Sequence, residues 1–243
     1  MAWASLIANK MRSILTMLGI IIGVAAVIAL VSIGNGVKQD IQNSISSLGS
    51  NLLMVMPGAP RTPGVRPSAG SMKSLKVSDY EAISKLDGVK AASPMTNGSY
   101  VVIYQNKNWT TSVSGVNANY LDVNNWTMKS GRFLSEKNVQ NRERVAVVGK
   151  TVVKNLFGDE DPVGKEIRVK NIPFRIIGVL NSKGSGAMGN DQDDMVIIPY
   201  TTAMERVDGI DYLRMIYVVG KDENGIDRLQ SDIENLLRVR HGI

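Results

Sequence analysis

The longest apolar stretch of the chain runs from Ser13 to Val37 and holds 25 residues without an Asp, Glu, Lys or Arg. As an α-helix it would extend roughly 37 Å, and about 20 apolar residues are enough to cross the hydrocarbon core of a bilayer. The pattern therefore predicts a transmembrane helix over 13–37. The alternatives are a buried core helix, which is rarely this uniformly apolar, and a signal peptide, whose apolar part is usually only about 7–15 residues long.

The first twelve residues place Trp3 and other apolar side chains near one side of a helix, with Lys10 and Arg12 beside them. A Trp ring and basic side chains are both favourable at a membrane surface. We therefore predict an interfacial amphipathic helix over 1–12. The alternative is that these residues form the first turns of the membrane helix.

The charges on the two sides of the apolar stretch differ. Lys10 and Arg12 precede it, whereas Asp40 offsets Lys38 after it. Because cytoplasmic flanks carry the excess of basic residues, the N-terminus is expected in the cytoplasm and the main domain outside it.

Gly19 and Gly23 form a G-x-x-x-G pattern within the predicted membrane helix. Two glycines on one face allow another helix to approach closely, although this pattern also arises by chance in such helices. No other stretch of the sequence is long and apolar enough to supply the partner, which is then expected from another chain or from a further part of the protein.

Beyond the apolar stretch, apolar residues repeat at intervals of four, four and three from Val37 to Leu48, and Gly49 stands where a helix would end. This spacing predicts a helical stalk over 38–50.

The remaining pattern predicts an α+β fold. A split β-α-β subdomain is expected over 51–116 and 210–243, with an inserted strand-rich subdomain over 117–209. In the split β-α-β subdomain, the predicted strands are 51–56, 89–95, 99–105, 109–116 and 212–219, with a hairpin turn at Asn106-Lys107. Its predicted helices are 78–87, opened by a capping box from Ser78 to Glu81, and 224–239.

The predicted insertion consists of short elements separated by turn residues. The expected strands are 144–148, 166–169, 174–180 and 195–198, and the expected helices are 150–157 and 201–206.

Composition narrows the class of protein. Lys and Arg number 28 against 22 Asp and Glu, a formal charge of +6, but the basic residues are scattered, and no nucleic-acid partner is expected. Cysteine is absent, which excludes disulfides, thiolate metal sites and a cysteine nucleophile.

Two loops are candidates for contact with a partner, because both are predicted to be mobile and exposed. One spans 57–71, is rich in Pro, Gly and Ser, and contains Arg61 and Arg66. The other spans 184–194 and contains Gly184, Gly186 and Asp191.

Several motifs suggest chemistry but lack a required part. Residues 184–189 fit G-x-G-x-x-G without a following helix, and 158–165 resembles a phosphate loop with one residue too many between its glycines. Asp191, Asp193 and Asp194 depart from the calcium-loop pattern, so a solvated acidic loop is favoured over a metal site. His241, the single histidine, is expected to have a neutral role at a helix end. We therefore expect neither an enzyme nor a cofactor site in this chain.

A series of segments resembles the MacB-type permeases of ATP-binding-cassette transporters, which belong to the FtsX-like superfamily. These segments, in order, are residues 1–36, SLGSNLLMVMPG, GVNANYLDV, SGRF, VAVVGKTVVKNLFG, DPVGKEIRV, the Ile-Ile-Gly-Val of 176–179 and LLRVRHGI. The resemblance runs nearly from end to end, and its specificity lies in the order and spacing of the segments.

The resemblance implies a permease of four helices in the membrane of a bacterial cell, with an extracytoplasmic domain between the first and second. In this family that domain is described as a porter-like α/β subdomain that carries an inserted strand-rich one. A partner nucleotide-binding domain would bind ATP and Mg, and its hydrolysis would move the helices of two permease copies in the lipid bilayer. The movement would be relayed outward to a membrane-fusion adaptor for export of antibiotics, peptides or other substrates, a mechanism called mechanotransmission. The sequence has one of the four helices, so it is expected to be a fragment that cannot transport alone.

The same resemblance allows a second function. Some related FtsX-like permeases act as signalling or scaffolding modules that regulate an exterior partner such as a cell-wall hydrolase. The companion protein would distinguish the two functions.

Overall fold

The computed structural model describes residues 10–48, 51–58, 73–186, 189–222 and 224–242. The chain divides into two compact units, Met1–Ser46 and Ser47–Ile243. In chain order, the elements of the described residues are α1 (Lys10–Leu48), β1 (Leu52–Val55), α2 (Val77–Ile83), β2 (Val89–Tyr104), β3 (Lys107–Val116), α3 (Tyr120–Val123), β4 (Met128–Gly131), α4 (Glu136–Gln140), β5 (Val145–Val148), α5 (Lys150–Leu156), β6 (Glu166–Val169), β7 (Ile172–Leu180), β8 (Met195–Pro199), α6 (Tyr200–Thr202), β9 (Met215–Gly220) and α7 (Ile226–His241).

Helix α1 is one continuous helix of 39 residues. It includes the predicted membrane segment and continues through the predicted stalk as far as Leu48. The predicted interfacial helix lies outside the described residues, apart from the last three of its positions.

Strands β1, β2 and β9 form a layer in which β9 lies between the other two and runs antiparallel to both. Val218 shows the arrangement, since it pairs with Leu53 on one side and with Ala92 on the other. Strands β1 and β2 are therefore parallel with a strand between them, which is the split β-α-β arrangement that the sequence predicted.

Helices α2 and α7 contact each other and bury their apolar side chains against this layer. Ile83 of α2 and Leu229 and Ile233 of α7 are buried there with Ile216 of β9. The regular spacing of apolar residues in the last helix correctly predicted this face.

Strand β2 is continuous over 16 residues, where the sequence predicted two separate strands. Its first part pairs with β9 as far as Met95, and from Thr96 onward it pairs with β3. The strand changes its neighbour at this point without ending. Because β2 belongs to both parts of the sheet, the subdomain boundaries at 117 and 209 stay a prediction.

The β2–β3 hairpin turns at Gln105-Asn106, one residue before the predicted turn. Tyr104 pairs with Lys107 in the antiparallel register, so two residues remain for the turn. Gln105 has a φ of 51°, the left-handed conformation that tight two-residue hairpin turns require.

The rest of the sheet follows the order β3-β8-β5-β7-β4, and β6 joins β7 to β2. The pairings β3 with β8 and β5 with β7 are parallel. The four strands predicted in this part are confirmed to within two residues at each end. The short elements α3, β4 and α4 were not predicted.

Strand β5 is buried on both faces of the sheet. Val145 and Val147 point into one apolar cluster, and Ala146 and Val148 point into another. Helix α5 covers the second face, and such two-sided burial explains why this strand reads as an uninterrupted apolar run.

The helix predicted over 201–206 is mostly a π-helical turn. It begins as α6 and continues over Ala203–Asp208 with wider hydrogen bonding. Gly209 ends it with a φ of +65°.

The capping box predicted from Ser78 to Glu81 is wrong. The N-cap is Lys76, whose main-chain N–H donates to the Asp79 carboxylate over 2.9 Å. The helix begins two residues earlier than the box required, because the side chain that closes its first turn is Asp79. It ends at Ile83 rather than at Asp87.

Candidate membrane and partner-contact sites

The part of α1 from Met17 to Gly36 is long and apolar enough to cross a membrane, with a mean hydropathy of 2.7 over this stretch. Its large side chains are exposed within the unit; Ile20, for example, is 67% exposed. Such exposure is unfavourable in water and suits a lipid environment.

Gly19 and Gly23 lie on this helix four residues apart, and no atom lies within 4 Å of the position where a Cβ would stand on either. Their face is therefore open to a close neighbour, and their role in helix packing stays a prediction. Of the predicted membrane-flanking residues, Lys10 begins α1 and Arg12 lies within it. Trp3 lies outside the described residues.

The glycine-rich loop that follows β7 has a structured base. The Asp193 carboxylate is 4% exposed and accepts hydrogen bonds from the Ser182 hydroxyl, from the Lys183 N–H over 2.7 Å and from the Gly184 N–H over 3.2 Å. The solvated acidic loop that the sequence predicted is thus wrong for Asp193, whose carboxylate organises the loop from inside.

The carboxylates of Asp191 and Asp194, on either side of Asp193, also accept hydrogen bonds. Asp191 is exposed, accepts from the Thr151 hydroxyl over 2.6 Å and accepts from the Asp193 N–H over 2.9 Å. The Asp194 carboxylate accepts from the Trp109 indole over 2.8 Å. These three acidic side chains therefore point to different partners. Among the described residues, no group of three or more His, Cys, Asp or Glu side chains is arranged to hold a metal ion.

Lys183 fixes the other side of the loop. Its ammonium group donates to the Asn124 carbonyl over 2.6 Å and lies 4.6 Å from the centre of the Trp126 ring. Burial lowers the pKa of Lys183, since the charged form is partly removed from water. The loop is thus attached to the segment after α3 as well as to α5.

Gly184 has a φ of +75°, which favours glycine, and an added Cβ on Gly186 would stand 2.8 Å from the Asn190 side chain. The next element after the G-x-G-x-x-G pattern is strand β8, so the helix that a dinucleotide site requires does not follow it. Gly184, Gly186 and Asp191 remain candidates for partner contact. Arg61 and Arg66 of the other candidate loop lie outside the described residues.

A third cluster was not predicted. The Asp79 carboxylate accepts from the Arg240 side chain over 2.8 Å and lies 2.9 Å from Nε2 of His241. Arg240 and His241 follow Asp79 by 161 and 162 positions in the sequence, so no local pattern reveals the contact. The sequence predicted that His241 lies at a helix end, which is correct, but it did not predict this partner.

A helix long and apolar enough to cross a membrane, followed by a mixed α+β domain with a split β-α-β layer, is the combination found in membrane proteins that carry a folded domain outside the bilayer. Residues 13–236 match the family described as MacB-like periplasmic core domain, and the chain belongs to this family.

Curated relatives match the whole chain. The macrolide export ATP-binding/permease protein MacB of Rhodospirillum rubrum is 45% identical over 244 residues, which is 100% of this chain and 37% of that protein. The MacB protein of Wolinella succinogenes is 39% identical over 242 residues, again 100% of this chain and 37% of the relative. The chain thus spans little more than a third of the length of these relatives.

Two solved structures have the same fold. The periplasmic region of MacB from Actinobacillus actinomycetemcomitans superimposes with a TM-score of 0.69 at 27% identity, covering 82% of this chain and 87% of that one. The extracellular domain of YknZ, a noncanonic ABC-type transporter of Gram-positive bacteria, gives a TM-score of 0.65 at 19% identity, covering 79% and 95%. The second likeness concerns the fold alone.

Proposed function

We propose that this chain is the membrane and extracytoplasmic part of a MacB-type ABC permease, which relays movement driven by ATP across the membrane to an exterior adaptor. The observation that carries the proposal is the family match over residues 13–236, which includes the apolar part of α1 as well as the folded domain. The relatives named as macrolide exporters support an export role, with antibiotics or peptides as the substrate class.

The other components of the transporter are proposed by analogy with the relatives. An ATP-binding domain in the cytoplasm binds ATP and Mg, a second permease copy completes the membrane part, and a membrane-fusion adaptor receives the movement outside. The N-terminus lies in the cytoplasm, as the basic residues Lys10 and Arg12 before the membrane helix favour.

The loop over 184–194 is proposed as an adaptor contact. Its base is fixed by Asp193 and Lys183, while Asp191 is exposed at its side. A loop that is held at its base presents its exposed residues in one place, which reduces the entropy lost on binding. The loop over 57–71 is a second proposed contact.

Affinity purification of the full-length permease from its native membrane tests the proposal. An ATPase together with a membrane-fusion adaptor is the expected result. Recovery of an ATPase with a cell-wall hydrolase or a sensor kinase, and without an adaptor, would contradict the export role and favour a signalling module.

Site-specific photocrosslinking tests the contact itself. A photoreactive residue at Asp191 or Arg61 should capture the adaptor, whereas the same residue at Glu234, exposed on helix α7, serves as a control. Capture of the adaptor at Glu234 alone would place the contact elsewhere on the domain.

A further inference from the structure

The Asp79 carboxylate holds the ends of two helices at once. It closes the first turn of α2 by accepting from the Lys76 N–H over 2.9 Å, and it accepts from Nε of Arg240 in the last turn of α7 over 2.8 Å. Its other neighbour in that turn is Nε2 of His241, at 2.9 Å. The carboxyl group is buried, with Asp79 only 2% exposed.

The protonation of this cluster follows from its contacts. Burial alone would raise the pKa of the Asp79 carboxyl, but hydrogen bonds from Arg240, Lys76 and His241 outweigh burial and lower it. Asp79 is therefore a carboxylate, which can only accept hydrogen bonds, so Nε2 of His241 carries the hydrogen that it donates.

Apolar packing holds most of α7 but not its last turn. Leu229 and Ile233 are buried in the core of the layer, and Leu236 and Leu237 pack against its edge. After these residues, the next apolar side chain, Val239, is 83% exposed. The last turn therefore contributes no side chain to the apolar cluster of the layer, and its Arg240 and His241 side chains are bonded to α2 through Asp79.

The other charges at this end of the layer are engaged elsewhere. The Lys76 ammonium group pairs with the exposed Asp211 carboxylate over 2.7 Å. The Lys73 ammonium group lies 5.9 Å from the centre of the Tyr212 ring. Asp79 is thus the acceptor that both Arg240 and His241 share, and a buried carboxylate that loses its hydrogen-bonding partners is strongly disfavoured.

We propose that Asp79 is a latch that keeps the last turn of α7 attached to α2, independently of the apolar packing that holds the rest of the helix. Arg240 and His241 are held against α2 through this one carboxylate. Loss of the latch frees the last turn locally, while the part of α7 around Leu229 and Ile233 stays packed. The inference concerns the folded domain alone and does not depend on the proposed export role.

Hydrogen–deuterium exchange of the full 243-residue chain in detergent, followed by mass spectrometry, tests the latch. In Asp79→Asn, amides over 238–242 should exchange at least about tenfold faster than in the unaltered chain, because charge-assisted hydrogen bonds are lost. Amides of β9 and of α7 around Leu229 should be unchanged. Asp211→Asn is the matched control, since it removes a neighbouring carboxylate that does not touch α7, and it should leave 238–242 as they are.

A second variant separates the latch from a general loss of stability. Arg240→Gln combined with His241→Gln should release the same amides without altering α2. Adding Asp79→Asn to this pair should produce little further acceleration at 238–242, because the three side chains form one contact. Unchanged exchange at 238–242 in Asp79→Asn and in the double variant, or an increase spread evenly over β1, β9 and α7, would overturn the latch.

Discussion

Gly149 lies so close to Asp193 that a Cβ atom on the glycine would stand 2.1 Å from the main-chain carbonyl oxygen of Asp193. The neighbouring contacts fix the same approach, since the Gly149 N–H donates to the Met195 carbonyl over 2.9 Å and the Thr151 N–H donates to the Asp193 carbonyl over 3.3 Å. The end of β5 and the start of β8 thus meet backbone against backbone beside the glycine-rich loop.

Gly149→Ala should therefore destabilise the domain by about 1–3 kcal/mol, because the backbone must move to make room for the methyl group. Thermal unfolding of the purified chain measures the effect. Gly58→Ala is the control, since no atom lies within 4 Å of its added Cβ, and it should change stability by no more than about 0.5 kcal/mol. Equal stability of the two variants would show that the β5 and β8 backbones do not constrain each other.

Asp193→Asn should lower the free energy of unfolding by about 2–3 kcal/mol, because a buried carboxylate that accepts several hydrogen bonds is replaced by an amide with one oxygen. The loss should be accompanied by faster hydrogen exchange at Lys183 and Gly184, whose N–H groups bond to this carboxylate. Asp159→Asn, on an exposed turn, is the control for removing a negative charge. Unchanged exchange at Lys183 and Gly184 would contradict the organising role of Asp193.

The contrast between Asp193 and its predicted role shows what the sequence alone can and cannot specify. Apolar periodicity depends on which face of an element is buried, so it correctly predicted the face of α7 and the strands around the core. The environment of Asp193 depends on Ser182 and Lys183 folding back against it, which no spacing in the sequence encodes. The contact between Asp79 and His241 is equally invisible, because it forms only when the first and last helices of the layer pack together.

Strand β2 shows a second feature that the sequence alone could not predict. Asn97-Gly98 lies in the gap between the two predicted strands, and a Cβ on Gly98 would stand 2.6 Å from the Tyr100 ring, which would have to shift. The strand nevertheless continues, because pairing with β3 replaces pairing with β9. Whether a glycine ends a strand or only makes room within it is decided by tertiary contacts.

The stability contributed by Asp79 should depend on pH in the acidic range. Its pKa is lower in the folded chain than the value of about 3.9 expected after unfolding, so the unfolded state binds the proton more readily. The contribution is therefore complete above about pH 5, begins to be lost as the pH approaches the unfolded-state pKa, and disappears as the pH falls through the folded-state pKa.

The measurement is the urea midpoint of the unaltered chain and of Asp79→Asn from pH 7 to pH 2.5. The difference between them should be about 3 kcal/mol at neutral pH and constant down to about pH 5, since removal of one partner from a buried ion pair is costly. It should then shrink below about pH 4. A difference that does not depend on pH would mean that the charge of Asp79 is unimportant and only its shape contributes.

Replacing Gly19 and Gly23 together by Leu should weaken assembly of the membrane part about tenfold, because the two side chains would prevent close approach of a neighbouring helix. The fraction of full-length permease recovered as one assembled species in detergent measures this effect. Ala25→Leu with Ala29→Leu adds the same kind of side chain at the same spacing on a different face of α1 and should leave assembly intact. If both pairs weaken assembly equally, the loss reflects added bulk anywhere on the helix. If neither does, the open face at Gly19 and Gly23 faces lipid rather than another helix.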